Sequence, residues 1–159
     1  MQRRMVLIDI ENFNGGNVDT LEKAAWCKQR IESLLNLQPH DQLVVGVDAS
    51  CVFNVADIWT GSLIRCGYGP NGADLMLLRE FDEKLVERFD ECIIVSGDKI
   101  FTHAVARLRQ MGQTVTVLAH PDSISPYLVN AASKVILSRD ELPNWWGHVQ
   151  ILHDNIKSI

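Results

Sequence analysis

Met5-Val6-Leu7-Ile8-Asp9-Ile10-Glu11-Asn12 is the stretch whose reading decides the fold. Apolar residues run unbroken from Met5 to Ile8, and then an acid appears. A run of that kind reads as a strand buried on both faces, as in a parallel sheet. The strand is expected over Val6–Ile10, with Asp9 at or near its carboxyl end. That edge is where open α/β sheets place their ligands. Were the strand to continue to Glu11, alternation would point its side chain away from that of Asp9.

Outward from this strand, apolar runs and helical patterns alternate. Asn12 to Asn17 is a loop rich in turn residues. A helix follows, with Asp19 as N-cap, Glu22 at the capping-box position, and its end near Asn36, ahead of Pro39. Further strands are expected at Gln42–Val47, Leu63–Cys66, Glu91–Ser96, Thr114–Leu118 and Val135–Leu137. Further helices are expected at Ala49–Thr60, Asp74–Phe89, Lys99–Met111 (closed by Gly112) and Ser125–Ala132. The segment from Gly67 to Gly72 is the densest loop signal in the chain. This alternation predicts a three-layer α/β/α sandwich around a mainly parallel sheet, with right-handed crossovers. The expected domain covers residues 1–140. Residues 141–159 form an irregular or helical extension packed on it, carrying Trp145 and Trp146, which are costly to leave in water. The alternative to packing is that the same tryptophans mark a surface for a protein partner, a second copy of the chain or stacked bases.

The 159 residues suit one domain. The formal charge of −5 argues against a generally basic nucleic-acid binder but leaves room for a local basic strip. Cys27, Cys51, Cys66 and Cys92 form no Cys-x-x-Cys pair, which reads as small core residues in a reducing compartment rather than a zinc site. The amino-terminal apolar stretch is too short for a signal peptide or a membrane span, so a cytoplasmic location is the expectation.

Asp9, Asp74 and Asp98 occupy comparable places, each at a strand end or a helix start. Carboxylates converging from such places repel one another unless a cation lies between them, and Mg²⁺ or Mn²⁺ prefers such oxygen ligands. A cation so held can acidify a water and stabilise charge on a phosphoryl oxygen. Each acid also has a structural reading. Asp98 suits an N-cap and Asp74 suits the first turn of a helix. Asp48 is a candidate of second rank, and Glu11 is either a further ligand or a solvated residue.

Val6-Leu7-Ile8-Asp9-Ile10-Glu11-Asn12, then Asn71-Gly72-Ala73-Asp74, then Val95-Ser96-Gly97-Asp98 with Phe101 and the following helix, together resemble a NYN domain of the PIN-like superfamily of metal-dependent ribonucleases. The resemblance covers Met5 to Leu137. Asp9 and Asn12 match the family's Asp-x-x-Asn motif. Gly72 and Asp74 match its Lys-Gly-x-Asp motif, with Asn71 where lysine is common. Ser96, Gly97, Asp98 and Phe101 match Ser-Gly-Asp-x-Asp-Phe, with Ile100 where a second acid is usual. The resemblance implies an endoribonuclease in which Asp9, Asp74 and Asp98 hold Mg²⁺ or Mn²⁺ and catalyse hydrolysis of RNA. It also implies that Asn12, Ser96 and Lys99 contact substrate or orient ligands. Lys99, Arg107, Arg109, Lys134 and Arg139, with Arg65 and Arg79, are the candidate cations for the RNA backbone.

Ile100 favours a competing reading, a catalytically impaired module that binds RNA or protein. Asp9-Ile10-Glu11 also faintly resembles the acid-x-acid motif of haloacid-dehalogenase-like phosphatases, but Phe13 stands where that motif expects Thr or Ser. No Gly-x-Gly-x-x-Gly or Walker A spacing is present, and the five histidines form no metal or triad pattern.

Overall fold

The computed structural model describes residues 2–147. Six strands form one sheet: β1 (Arg4–Asp9), β2 (Gln42–Asp48), β3 (Leu63–Gly67), β4 (Glu91–Val95), β5 (Thr114–Ala119) and β6 (Lys134–Leu137). The order is β3-β2-β1-β4-β5-β6, and every pairing is parallel. The helices are α1 (Ile10–Asn14), α2 (Leu21–Leu35), α3 (Val52–Ile58), α4 (Gly72–Leu78), α5 (Glu83–Arg88), α6 (Thr102–Gln110) and α7 (Pro126–Ala131).

Alternate residues of the buried strands feed two cores. Val6 and Ile8 of β1 pack with Ile31 and Leu35 of α2 and Val55 of α3 on one face. Met5 and Leu7 pack with Leu77, Leu85, Val105 and Leu108 on the other. The sandwich expected from the sequence is therefore present, with β1 apolar on both sides because both sides are covered. Cys27, Cys51 and Cys92 are buried and Cys66 half-buried, all as free thiols. No helix of the described residues is long and apolar enough to cross a membrane.

The chain steps from β1 outward to β3, then returns across the sheet and enters β4 on the other side of β1. Strand order thus reverses between β1 and β4. A crevice opens beyond the carboxyl ends at such a reversal.

Several boundaries differ from the sequence expectation, α1 for one taking up part of the loop expected at Asn12–Asn17. β1 ends at Asp9, because Ile10 already begins α1. The long helix expected over Asp74–Phe89 is two helices, separated at residues 79–82, where Asp82 accepts a hydrogen bond from the Lys84 N–H and starts α5. The apolar stripe of Leu77, Phe81 and Leu85 continues across the break, so spacing alone hides it. Thr20 rather than Asp19 caps α2, accepting from the Lys23 N–H, while Asp19 pairs with the Lys23 ammonium.

Gly67 shows how closely β3 meets α4. A Cβ there would lie 2.2 Å from the backbone of Gly72 and Ala73. The first turn of α4 therefore rests directly on the end of β3.

The segment before residue 148 lies against α1. The Trp146 indole N–H donates to the Phe13 carbonyl at 2.9 Å, and that of Trp145 donates to Asn14 Oδ1 at 3.0 Å. Phe13, Trp26, His120 and both tryptophan rings form one aromatic cluster. The remainder of the expected extension, residues 148–159, lies outside the described residues.

Candidate functional site

Asp9 closes β1, beside the reversal point, and its residue is only 3% exposed. It stands at the N-cap position of α1 yet makes no capping hydrogen bond. Its carboxylate instead accepts a hydrogen bond from the Ser96 hydroxyl at 2.9 Å. Ser96 Oγ in turn accepts from the Asp98 N–H at 3.1 Å, and the Gly97 N–H donates to Asn12 Oδ1 at 2.9 Å. These bonds knit the ends of β1 and β4 across the crevice. Two of the residues expected to meet substrate, Asn12 and Ser96, thus hold the chain's own acids in place. Lys99, the third, is exposed beside Asp98.

Asp74 arrives from the far side of the sheet, on the first turn of α4, and is also buried. Its carboxylate meets that of Asp9 at hydrogen-bonding range. Burial, then the charge of Asp74, raises the Asp9 carboxyl well above the usual range, against the pull of the Ser96 hydroxyl. Burial likewise raises Asp74, against a hydrogen bond from Asp9 that lowers it and with the charge of Asp98 adding to the raise, so that Asp9 holds the proton between the two. Asp98 spends Oδ1 on the Ile100 N–H, capping the short turn Lys99–Phe101. Asp9 and Asp74 are therefore in contact, and Asp98 lies near enough to act on Asp74.

Glu11 joins them, since the divergence from Asp9 was expected only for a strand continuing to Glu11 and β1 ends at Asp9. Because α1 begins at Ile10, the side chain does not follow strand alternation. One oxygen accepts from the Asp48 N–H, while Oε2 is buried without a partner. Burial raises its carboxyl to about 7, with the charges of Asp48 and Asp74 adding to the effect. The sequence signal for this turn was Gly15, whose left-handed backbone ends α1 one residue after Asn14. Asp48 itself faces outward, held low by the Ser50 hydroxyl and N–H.

Among the described residues, no three His, Cys, Asp or Glu side chains are placed to ligate one ion together. The donor set nonetheless fits a hard divalent cation in kind and in charge. It offers two facing carboxylates and an unpartnered carboxylate oxygen in one buried patch. Mg²⁺ commonly takes one or two carboxylates and keeps several waters. Ile100, at the position of the missing acid, packs against the core instead. Of the other cations, Arg65 is paired with Glu80, and Arg109 donates to the carbonyls of Ala131 and Ala132.

The acid cluster has a pH signature in metal-free buffer. A carboxyl raised on folding means that the folded state binds more protons than the unfolded state. Its contribution is fully present below the unfolded value, near 4.5, and is lost as pH rises through the folded value, about 7 for Glu11. His120 works in the opposite direction, since burial lowers its imidazole. The comparison must therefore isolate Glu11. Glu11→Gln keeps an acceptor for the Asp48 N–H. Thermal denaturation in chelator is expected to show the variant gaining on wild type between pH 4.5 and 7, by about 2–3 kcal/mol at the upper end. A gap constant with pH would show that Glu11 is not a strained acid.

A parallel α/β sandwich with buried acids gathered at its strand-order reversal is consistent with the PIN-like fold. The NYN domain model matches residues 3–139, and the chain belongs to that family. A search of curated protein sequences finds no match. Among solved structures, the fold is similar to that of a protein of unknown function from Vibrio parahaemolyticus RIMD 2210633. That likeness has a TM-score of 0.63 at 16% identity, over 87% of this chain and 94% of the other.

Proposed function

We propose that the chain is a metal-dependent endoribonuclease. The observation that carries this reading is the buried contact between Asp9 and Asp74, which costs stability and serves no cap or ion pair. Buried carboxyls raised by one another cluster at functional sites. In this reading Asp9 and Asp74 hold Mg²⁺ or Mn²⁺, and Asp98 and Glu11 complete the negative surround. A bound cation supplies charge neutralisation at the phosphoryl oxygens and an acidified water. The Ser96 hydroxyl fixes the orientation of the Asp9 carboxylate. Asn12 locks the β4 loop so that Asp98 stays beside Asp74. Lys99 contributes a positive charge to an RNA phosphate. In the overall reaction a water oxygen bonds to phosphorus, one ester P–O bond breaks, and the departing oxygen takes a proton.

A second reading has one observation in its favour. Ile100 fills a core position where the family usually places a further acid. On that reading the fold binds RNA without cutting it.

Cleavage of a mixed set of structured and single-stranded RNAs in Mn²⁺ separates the two. Wild type is expected to cut, to stop in excess chelator and to resume when Mn²⁺ is restored. Asp98→Asn is expected to lose about 10- to 100-fold, the usual cost of an outer-shell group. Inert wild type that still shifts RNA on a gel supports the binding module. Equal cutting by wild type and Asp98→Asn removes Asp98 from the site.

A further inference from the structure

Only three aromatic side chains among the described residues are strongly exposed: Phe53 at 85%, Tyr68 at 81% and Tyr127 at 68%. All three follow the carboxyl ends of strands. Phe53 lies in the first turn of α3 after β2, Tyr68 directly follows β3, and Tyr127 lies in the first turn of α7 after β5.

Each is tied through the backbone to one of the acids. Tyr68 stands on the loop pinched between Gly67 and Gly72, with the Gly72 N–H donating to the Gly69 carbonyl at 3.1 Å. Two residues further on is Asp74. Tyr127 follows Ser125, whose N–H donates to the Gly97 carbonyl at 2.8 Å, between Ser96 and Asp98. Gly97 has no room for a Cβ, which would sit 2.6 Å from the Ser123 carbonyl, so this loop is pressed onto the site. Phe53 belongs to the turn that begins at Asp48, the residue bonded to Glu11.

The same edge is poor in positive charge. The segments leaving the six strands, residues 10–20, 49–53, 68–75, 96–101, 120–127 and 138–139, contain only two cations, Lys99 and Arg139. They carry Glu11, Asp19, Asp74, Asp98 and Asp122. Phosphate contacts are therefore scarce where the aromatics are abundant. Bases offer an alternative grip, since any unpaired base can stack on an aromatic ring. A duplex hides its base faces and presents phosphates, for which this edge has only Lys99 and Arg139.

We infer that Tyr68, Phe53 and Tyr127, spread along this edge, are stacking platforms that select an unpaired RNA strand and lay it across the acid cluster. The inference rests on the ribonuclease reading and supplies its substrate class.

The test is binding by the full chain in millimolar Ca²⁺. The probe is a labelled 12-nucleotide RNA of mixed sequence, either single-stranded or annealed to its complement. Single strand is expected to bind at least about tenfold tighter than duplex. Tyr68→Ala and Tyr127→Ala should each weaken it by about five- to hundredfold, while Tyr68→Trp retains wild-type binding. Leu63→Ala, exposed at the opposite edge, should bind as wild type. Between 50 and 200 mM salt the affinity should fall by no more than about five- to tenfold, as for two phosphate contacts. Melting temperatures of the exposed-site variants should match wild type.

Duplex binding as tight as single strand, or alanine variants that bind like wild type, overturns the inference. If those variants bind RNA normally but alter the sedimentation of the protein, the aromatics are a protein-contact face and the inference also fails. Mn²⁺ cleavage measured on the same samples separates the two proposals. Stacking-dependent binding without cleavage sinks the nuclease alone, and cleavage indifferent to the tyrosines sinks the stacking platforms alone.

Discussion

Asp9→Asn is expected to abolish RNA cleavage while making the metal-free protein more stable. Asn keeps an oxygen for the Ser96 hydroxyl and a donor for Asp74, without the cost of holding a proton that the unfolded carboxyl releases at neutral pH. Relief of that cost should raise stability by about 1–2 kcal/mol, in the range seen when a functional site gives up its strain. For a domain of this size the melting temperature in chelator then rises by about 3–6 °C. Cleavage should fall by at least about a thousandfold, because transition-state charge stabilisation from a cation is worth several kcal/mol. A third readout does not depend on activity. Saturating Mn²⁺ should raise the melting temperature of wild type, by linkage, and leave that of Asp9→Asn almost unmoved. A variant less stable than wild type in chelator, or a wild type indifferent to Mn²⁺, would remove the argument that these acids await a cation.

The second large effect lies away from the acids. Gly67→Ala would drive a methyl group into the backbone of Gly72 and Ala73, 2.2 Å away. Neither neighbour can rotate out of the way, as the tip of a side chain could. The expected cost is about 3 kcal/mol, at the upper end for overpacking, or about 6–12 °C in melting temperature. Because α4 must shift to make room, Asp74 moves with it, and cleavage should fall even at temperatures where the variant is folded. Gly69→Ala is the matched control. Gly69 has a left-handed backbone at φ +74° but no atom within 4 Å of the added carbon, so only conformational strain of about 1 kcal/mol is expected. Equal effects from the two substitutions would mean that the close seating of α4 on β3 does not position Asp74.

These predictions bear on how far sequence reading reaches. Asp9 was legible because an acid ending a doubly buried apolar run stands out against its neighbours. Asp74 and Asp98 were legible as a helix start and a strand end, and through the motifs around them. Glu11 was not, because its direction depends on whether the chain stays extended for two more residues. Gly15 signals that a turn ends after Asn14, but where the strand gives way to it is set by the packing of α1 beneath Trp146 and beside β2. The split between α4 and α5 was hidden for a similar reason, since both helices present their apolar residues to one core.

By itself, then, the sequence determined the parallel α/β architecture, through the alternation of fully apolar runs with amphipathic ones, and the motifs by which the family is recognised. Tertiary structure alone decided which acids touch, that Asn12 and Ser96 bind the chain's own groups, and that the exposed aromatics share one edge with the acids. Periodicity reports how each segment meets a core. Contacts between strand ends are set by sheet order, and β4 lies beside β1 only after the chain has crossed the sheet.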